Sequence, residues 1–238
     1  MTGGLPHAGL VLAVGMAFAL VHIASPWLRW LDRTPRSIWL SAAGGVSVAY
    51  VFVHLLPELA HLNEDAAGDD PMLYLGAMAG FTLFYGLERL IRRRAAHDAR
   101  EASPPGVFWL HLGSFAVYNA LIGYLLDEQA RQEDLTGLLL YGAAMALHFV
   151  VNDRSLYAHH GRRYLTRGRW ILAGAALAGV GLGFAVEVPQ IVLSTCFAVL
   201  AGSVVLNVIK EELPEERASR FWAFAAAGGL YAVLLTFL

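Results

Sequence analysis

The sequence predicts an all-α fold: a single polytopic membrane domain with eight transmembrane helices. Composition, run length and charge placement each point there. Of the 238 residues, 57% are hydrophobic and 15% charged, with a mean hydropathy of +0.53; a soluble domain carries about 25% charged residues. The apolar residues fall in long runs, not in alternating or one-sided patterns, and a helix needs about 20 of them to cross about 30 Å of hydrocarbon. The basic residues gather in every second connection between runs. A net charge of −2 points to no polyanionic partner, nucleic acid included.

The eight runs lie at about 6–26, 38–61, 72–91, 107–126, 135–158, 170–186, 189–209 and 221–238. The N-terminal stretch MTGGLPHAGL has no basic residue before the first run, so that run is expected to be retained as a span and not cleaved as a signal. Connections are short and leave no room for a soluble domain. Small residues such as Gly174, Ala178 and Gly181 recur inside the runs, where they let helices approach closely in lipid. The single cysteine, Cys196, excludes an intramolecular disulfide and a Cys-rich zinc site, and is expected to be a packing residue.

The loops after spans 1, 3, 5 and 7, with their flanking helix ends, hold Arg29, Arg33, Arg36, Arg89, Arg92, Arg93, Arg94, Arg100, Arg154, Arg162, Arg163, Arg167, Arg169, Lys210, Arg217 and Arg220. That is every basic residue except Arg131. The excess of Lys and Arg in cytoplasmic loops then places these loops in the cytoplasm and both termini outside. The opposite loops are acidic, with Glu64, Asp65, Asp69 and Asp70, then Asp127, Glu128, Glu133 and Asp134.

Spans 2 and 7 resemble each other. Gly45 precedes His54-Leu55-Leu56-Pro57-Glu58 by nine residues, and Gly202 precedes Glu211-Glu212-Leu213-Pro214-Glu215 by nine. The two spans run in opposite directions, so residues 1–93 and 169–238 read as inverted repeats around a central helix pair at 107–158. Alternating-access transporters are built this way, with substrate near the midplane.

Ionisable groups in hydrocarbon are costly and mark function. Span 5 carries His148, Asn152 and Asp153; His148 and Asn152 are four apart and share a face. At 1.5 Å per residue His148 lies roughly 20 Å from the outer loop, where a neutral imidazole suits zinc or a related ion. Span 4 carries His111, Tyr118 and Asn119, with Tyr118 at a depth level with His148. Span 2 carries His54 and Glu58, four apart beside Pro57 near the outer face, where they would form an ion-entry vestibule. Each set has a plain alternative: an interhelical hydrogen bond at His148, a packing tyrosine at Tyr118, a solvated helix end at His54 and Glu58. Glu187 is expected to be interfacial, His159 and His160 solvated, and Glu88 with Arg92 an ordinary i,i+4 pair.

These features together resemble the ZIP (Zrt/Irt-like) metal-transporter family, which has eight spans, both termini outside and a 3+2+3 arrangement with inverted outer triplets. The second span of that family commonly ends in HLLPE, matched by His54 to Glu58. Its seventh is similar to Ala201-Gly202 through Leu213-Pro214-Glu215, with Asn207 near the usual aromatic position. The resemblance implies a metal centre between spans 4 and 5. In the family span 4 holds an H-N-x-x-[DE]-G pattern; this chain has Tyr118-Asn119-Ala120-Leu121-Ile122-Gly123. In span 5 His148 matches, while Phe149 and Asn152 stand where the family has carboxylates.

The expected function is therefore transport of a divalent cation of the zinc, iron or manganese class by alternating access. The metal would touch His148, Asn152, Asn119, Asp153 and Tyr118, with His111, His54 and Glu58 along its path. The alternative is a ZIP-fold protein without metal transport, acting as a sensor, a partner-binding module or a carrier of another solute. No H-E-x-x-H, G-x-S-x-G or P-loop pattern occurs; a metal-dependent hydrolase using His54, His111 and His148 is the third reading, and an enzyme is not expected. No resident cofactor is expected, a bound divalent metal such as zinc being cargo. The partners are the bilayer and the divalent cation, with a homodimer left open and no nucleic acid. An Ala-, Gly- and Arg-rich chain with almost no Lys fits a bacterial inner membrane.

Overall fold

The computed structural model describes residues 4–27, 38–65, 71–97, 105–132, 134–212 and 220–237. Leu213-Pro214-Glu215, Asp69, Asp70, Glu133, Arg29, Arg33, Arg36, Arg100 and Arg217 lie outside them.

Each predicted apolar run is helical, and among the described residues there is no strand. Helix α1 is Gly4–Ala24. Helix α2 runs from Ile38–Tyr50 through a π-helical turn, Val51–Leu55, into Leu56–Asp65. Helix α3 is Met72–His97, α4 Pro105–Gln132 and α5 Leu135–His160. Helix α6 opens with a π-helical turn, Tyr164–Gly168, and continues as Arg169–Ala185. Helix α7 is Gln190–Asn207 followed by a third π-helical turn, Val208–Glu212. Helix α8 is Phe221–Leu235.

Local chemistry sets several boundaries. Pro105 stands at the first position of α4, where its missing N–H costs nothing. Asp134 caps α5, its carboxylate accepting from the Gly137 N–H at 2.8 Å. In α2, Pro57 has no N–H to offer the carbonyl of Val53, and the helix widens there into the π turn.

Six segments are long and apolar enough to cross a membrane: His7–Trp27, Ile38–Leu62, Gly106–Gln132, Leu135–His160, Tyr164–Ala185 and Gln190–Lys210. Helix α3 carries Glu88, Arg89 and Arg92 to Arg94 in its second half, and α8 is apolar but only 15 residues long. Both nevertheless turn large apolar residues outward, Leu83 at 70% and Leu230 at 65% exposure. Such an outer surface has no place in water. The chain is a helical integral membrane protein.

The helices pack chiefly as α4–α6, α1–α6 and α1–α5, and as α2–α8 and α3–α7; α2–α5 and α4–α7 join the two sets. These seven pairs map onto one another when α1 is exchanged with α6, α2 with α7, α3 with α8 and α4 with α5, while the α3–α4 contact is not matched to the same extent between α8 and α5. Closer detail follows the same exchange. A Cβ on Gly45 of α2 would run into the Phe224 carbonyl of α8, and a Cβ on Gly202 of α7 into the Ala77 carbonyl of α3. The π turns Val51–Leu55 and Val208–Glu212 begin six residues after those glycines in both helices.

Backbone contact this close leaves no room for one methyl. Gly45→Ala and Gly202→Ala are expected each to destabilise the protein by about 1–3 kcal/mol. Gly86→Ala, which meets nothing within 4 Å, is expected to leave stability unchanged or to raise it by up to about 1 kcal/mol. Thermal unfolding in a mild detergent measures all three.

Candidate functional site

Polar side chains meet in two linked clusters inside the bundle. The first joins α4, α5 and α7. His148 is fully buried, and Tyr118, Asn152 and Asn207 are nearly so, at 4%, 2% and 1% exposure. The Tyr118 hydroxyl lies 2.8 Å from His148 Nε2, and Asn207 Nδ2 lies 3.4 Å from the same atom. Asn207 Nδ2 also donates to Asn152 Oδ1 at 2.8 Å. An amide nitrogen only donates, so Nε2 is the acceptor in this arrangement and the Tyr118 O–H donates to it as well. The imidazole is therefore neutral, and its free lone pair is already engaged.

The second cluster joins α1, α4 and α5. His22 Nε2 lies 2.9 Å from Asn119 Oδ1, and His22 Nδ1 lies 2.9 Å from Asp153 Oδ1. All three residues are essentially without exposure. Asn119 Nδ2 donates to the Phe115 carbonyl at 2.7 Å, which fixes the amide so that its oxygen faces His22. Hence His22 Nε2 must carry a proton. The Nδ1–Oδ1 contact then holds one further proton, whichever atom bears it, and the pair has no net charge in an apolar core. The Phe149 ring lies against His22, centroids 4.9 Å apart.

Helical periodicity explains the split. Neighbouring residues point about 100° apart, so Tyr118 and Asn119 enter different clusters, as do Asn152 and Asp153. Asn152 Nδ2 and Asn207 Oδ1 have no hydrogen-bond partner among the described residues. Ser25 and Asp153 both border the Tyr164 hydroxyl. Orphaned buried polar atoms are uncommon in native structures and are the natural contacts of water or a polar solute.

A narrow cavity leads toward the first cluster from the end of the bundle that carries Glu128, Gln129 and Gln132. It passes Tyr50 and Tyr141 and reaches Met145 and Val204, each three residues before His148 and Asn207. It offers about 30 Å³, room for roughly two waters.

Of the predicted site residues, His148, Asn152 and Tyr118 come together, and Asn119 and Asp153 join the second cluster. The others lie apart. His54 sits beside the cavity, its Nε2 3.4 Å from the Gln129 amide nitrogen, with Glu58 half-buried one turn further on. His111 lies at the arginine-rich end, 3.0 Å from His160 and 3.9 Å from Glu88. His160 is thus buried, at 7% exposure, and not solvated, because α4 packs over it; His159 is exposed. Glu88 holds Lys210 at 2.8 Å in addition to Arg92 at 2.9 Å. Among the described residues no three His, Cys, Asp or Glu side chains converge as a metal site would need.

Sequence reasoning passed over His22 and treated Asn207 only as a substituted aromatic position. The signal for both was present: an ionisable or amide side chain inside an apolar run, the criterion that singled out His148.

His22→Ala is expected to cost about 3–5 kcal/mol by leaving Asp153 unpaired. Asp153→Asn should cost less, since the amide stays neutral and can still bond His22. A combined His22→Ala, Asp153→Ala variant should be less destabilised than the two single losses added together. Thermal unfolding of the four variants, Asp153→Ala included, measures the coupling. No protein-family model and no curated protein matches this chain.

Proposed function

We propose that the chain is an alternating-access carrier on a ZIP-like plan of eight spans, 3+2+3, whose central site takes a small uncharged hydrogen-bonding solute and not a coordinated divalent ion. The observation that carries this reading is His148: its Nε2 is met by the Tyr118 hydroxyl and the Asn207 amide. A metal at that atom would have to displace both. The positions where the resemblance calls for the remaining ligands hold Tyr118, Ile122 and Phe149, all packed in the core. Beside His148 stand one open acceptor, Asn207 Oδ1, and one open donor, Asn152 Nδ2. An uncharged solute with a donor and an acceptor of its own complements that pair.

The eight-span plan is supported by the matched glycine contacts, the matched π turns and the correspondence of the principal helix pairs. Helices α3 and α8 would complete it by crossing alongside α7 and α2. Alternating access is supported by the asymmetry of the two ends: a cavity enters from the acidic end, while Glu88, Lys210, His111 and His160 tie α3, α4, α5 and α7 together at the other. On the positive-inside rule the arginine-rich end faces the cytoplasm of a bacterial inner membrane, with both termini outside.

Divalent-cation transport is favoured by different observations: Glu128 at the cavity mouth and the open oxygen of Asn207. Liposomes carrying the protein, beside empty vesicles, separate the readings. Zinc, manganese and iron(II) uptake is expected to stay at the empty-vesicle rate. Osmotic swelling in small polar solutes such as urea or glycerol is expected to exceed that rate and to fall back to it in Asn207→Leu. Saturable metal uptake that is lost in His148→Ala would overturn this proposal in favour of the cation.

A further inference from the structure

The central cluster is separated from the two ends of the bundle by unequal amounts of protein. Toward the acidic end, the cavity stops at Met145 and Val204, one turn short of His148 and Asn207. Toward the arginine-rich end, successive turns are filled. Phe115, one turn from Tyr118 on α4, and Leu156, one turn from Asn152 on α5, are each 1% exposed. Phe84 of α3 packs edge-on against Phe115, centroids 5.6 Å apart, and lies 5.8 Å from the Tyr118 ring. One turn further along α4, His111 lies against Phe115 at 5.3 Å.

His111 is the joint of this layer. It is buried, and its two ring nitrogens serve different helices. Nδ1 lies 3.0 Å from His160 Nε2 on α5, so one imidazole donates to the other. Nε2 lies 3.9 Å from Glu88 Oε2 on α3, the oxygen that also meets Lys210 in the π turn of α7 at 2.8 Å. One side chain of α4 is thereby linked to α3, α5 and, through Glu88, α7.

The same four-sided arrangement at the acidic end is held differently. Across the cavity mouth His54 of α2 faces the neutral Gln129 of α4 at 3.4 Å. Asp127 pairs with His7, which joins α4 to α1, whereas the cavity is lined by α2, α4, α5 and α7. The matched helices α2 and α7 show the contrast at one position. Lys210 is the eighth residue after Gly202, and the eighth after Gly45 is Val53, packed against the core. Alternating access exchanges the conformations of the two repeats, so a contact that only one repeat can make favours the state that contains it.

We propose that Phe84, Phe115 and Leu156, held shut through His111, form the gate between the central site and the arginine-rich end, and that this structure is the state open toward the acidic end. The proposal rests on the alternating-access reading and is independent of the solute carried. His111, two turns from the central cluster, is a positioning residue.

Hydroxyl-radical footprinting of the whole protein in a mild detergent tests it. An X-ray pulse oxidises side chains that water reaches, and mass spectrometry reads each residue against its rate in the unfolded chain. In the wild type Met145 and Tyr141 are expected to be oxidised, and Phe115 and Leu156 protected. His111→Phe keeps a ring of similar size and removes both polar links; Glu88→Gln leaves His111 in place and removes the charge beside it. In each variant oxidation of Phe115 and Leu156 should rise by about threefold or more while that of Met145 falls. Should His111→Phe aggregate, Glu88→Gln carries the test alone. Equal oxidation of Phe115 and Met145 in the wild type would overturn the proposal, as would an unchanged pattern in a folded variant. A rise at Phe115 and Leu156 without a fall at Met145 would also overturn it, because loosened packing alone does that. A reciprocal shift in a protein that moves no solute into liposomes would keep the gate and discard the solute.

Discussion

The hydrogen-bonded chain Phe115–Asn119–His22–Asp153 is the constraint around which the bundle is organised. A carboxylic acid and an imidazole in a hydrocarbon interior are tolerable only when each finds its partner within the protein. Asn119 has its amide turned by the Phe115 carbonyl, which orients its oxygen to His22, which in turn reaches Asp153. Three helices, α1, α4 and α5, are thereby held at one rotation and one depth relative to each other. Sliding α1 by a turn would break both bonds of His22 and strand Asp153. Apolar packing between such helices gives no comparable register, because one Leu or Val contact in lipid is much like another.

That registration determines the character of the central site. Once Asn119 and Asp153 face His22, the helical rotation turns Tyr118 and Asn152 toward His148 and Asn207. The resulting cluster consists of a neutral imidazole, a phenol and two amides. It is well suited to hydrogen bonding and lacks the anionic charge that offsets the desolvation of a dication. Ile122 and Phe149, fully buried in the surrounding core, fill with carbon the places where the ZIP resemblance would put carboxylates.

The two ends of the bundle use charge differently. At the acidic end, Asp127 is held by His7 and Arg131, while Glu128 and Gln129 border an open cavity. At the opposite end Glu88 gathers Lys210 and Arg92 and borders His111, so charged groups draw neighbouring helices together. Arg162, Arg163 and Arg167 line a separate cleft with Phe108 and Trp109.

Much of the architecture was legible in the amino-acid sequence. Each helix was, because an apolar run of span length in lipid must satisfy its own backbone and has no better choice than a helix. Gly45 and Gly202, demanded by close backbone contact, and Pro57, beside the π turn of α2, were also visible as local marks. The sequence likewise announced that His148, Tyr118, Asn119 and Asn152 were buried polar groups. It did not determine their partners. Which face of α1 meets α5, whether Asp153 answers His22 or His148, and that His160 folds under α4 to reach His111 all depend on helix rotation and depth. Those are settled by contacts among residues as far apart as 22 and 153, and only the tertiary structure decided them.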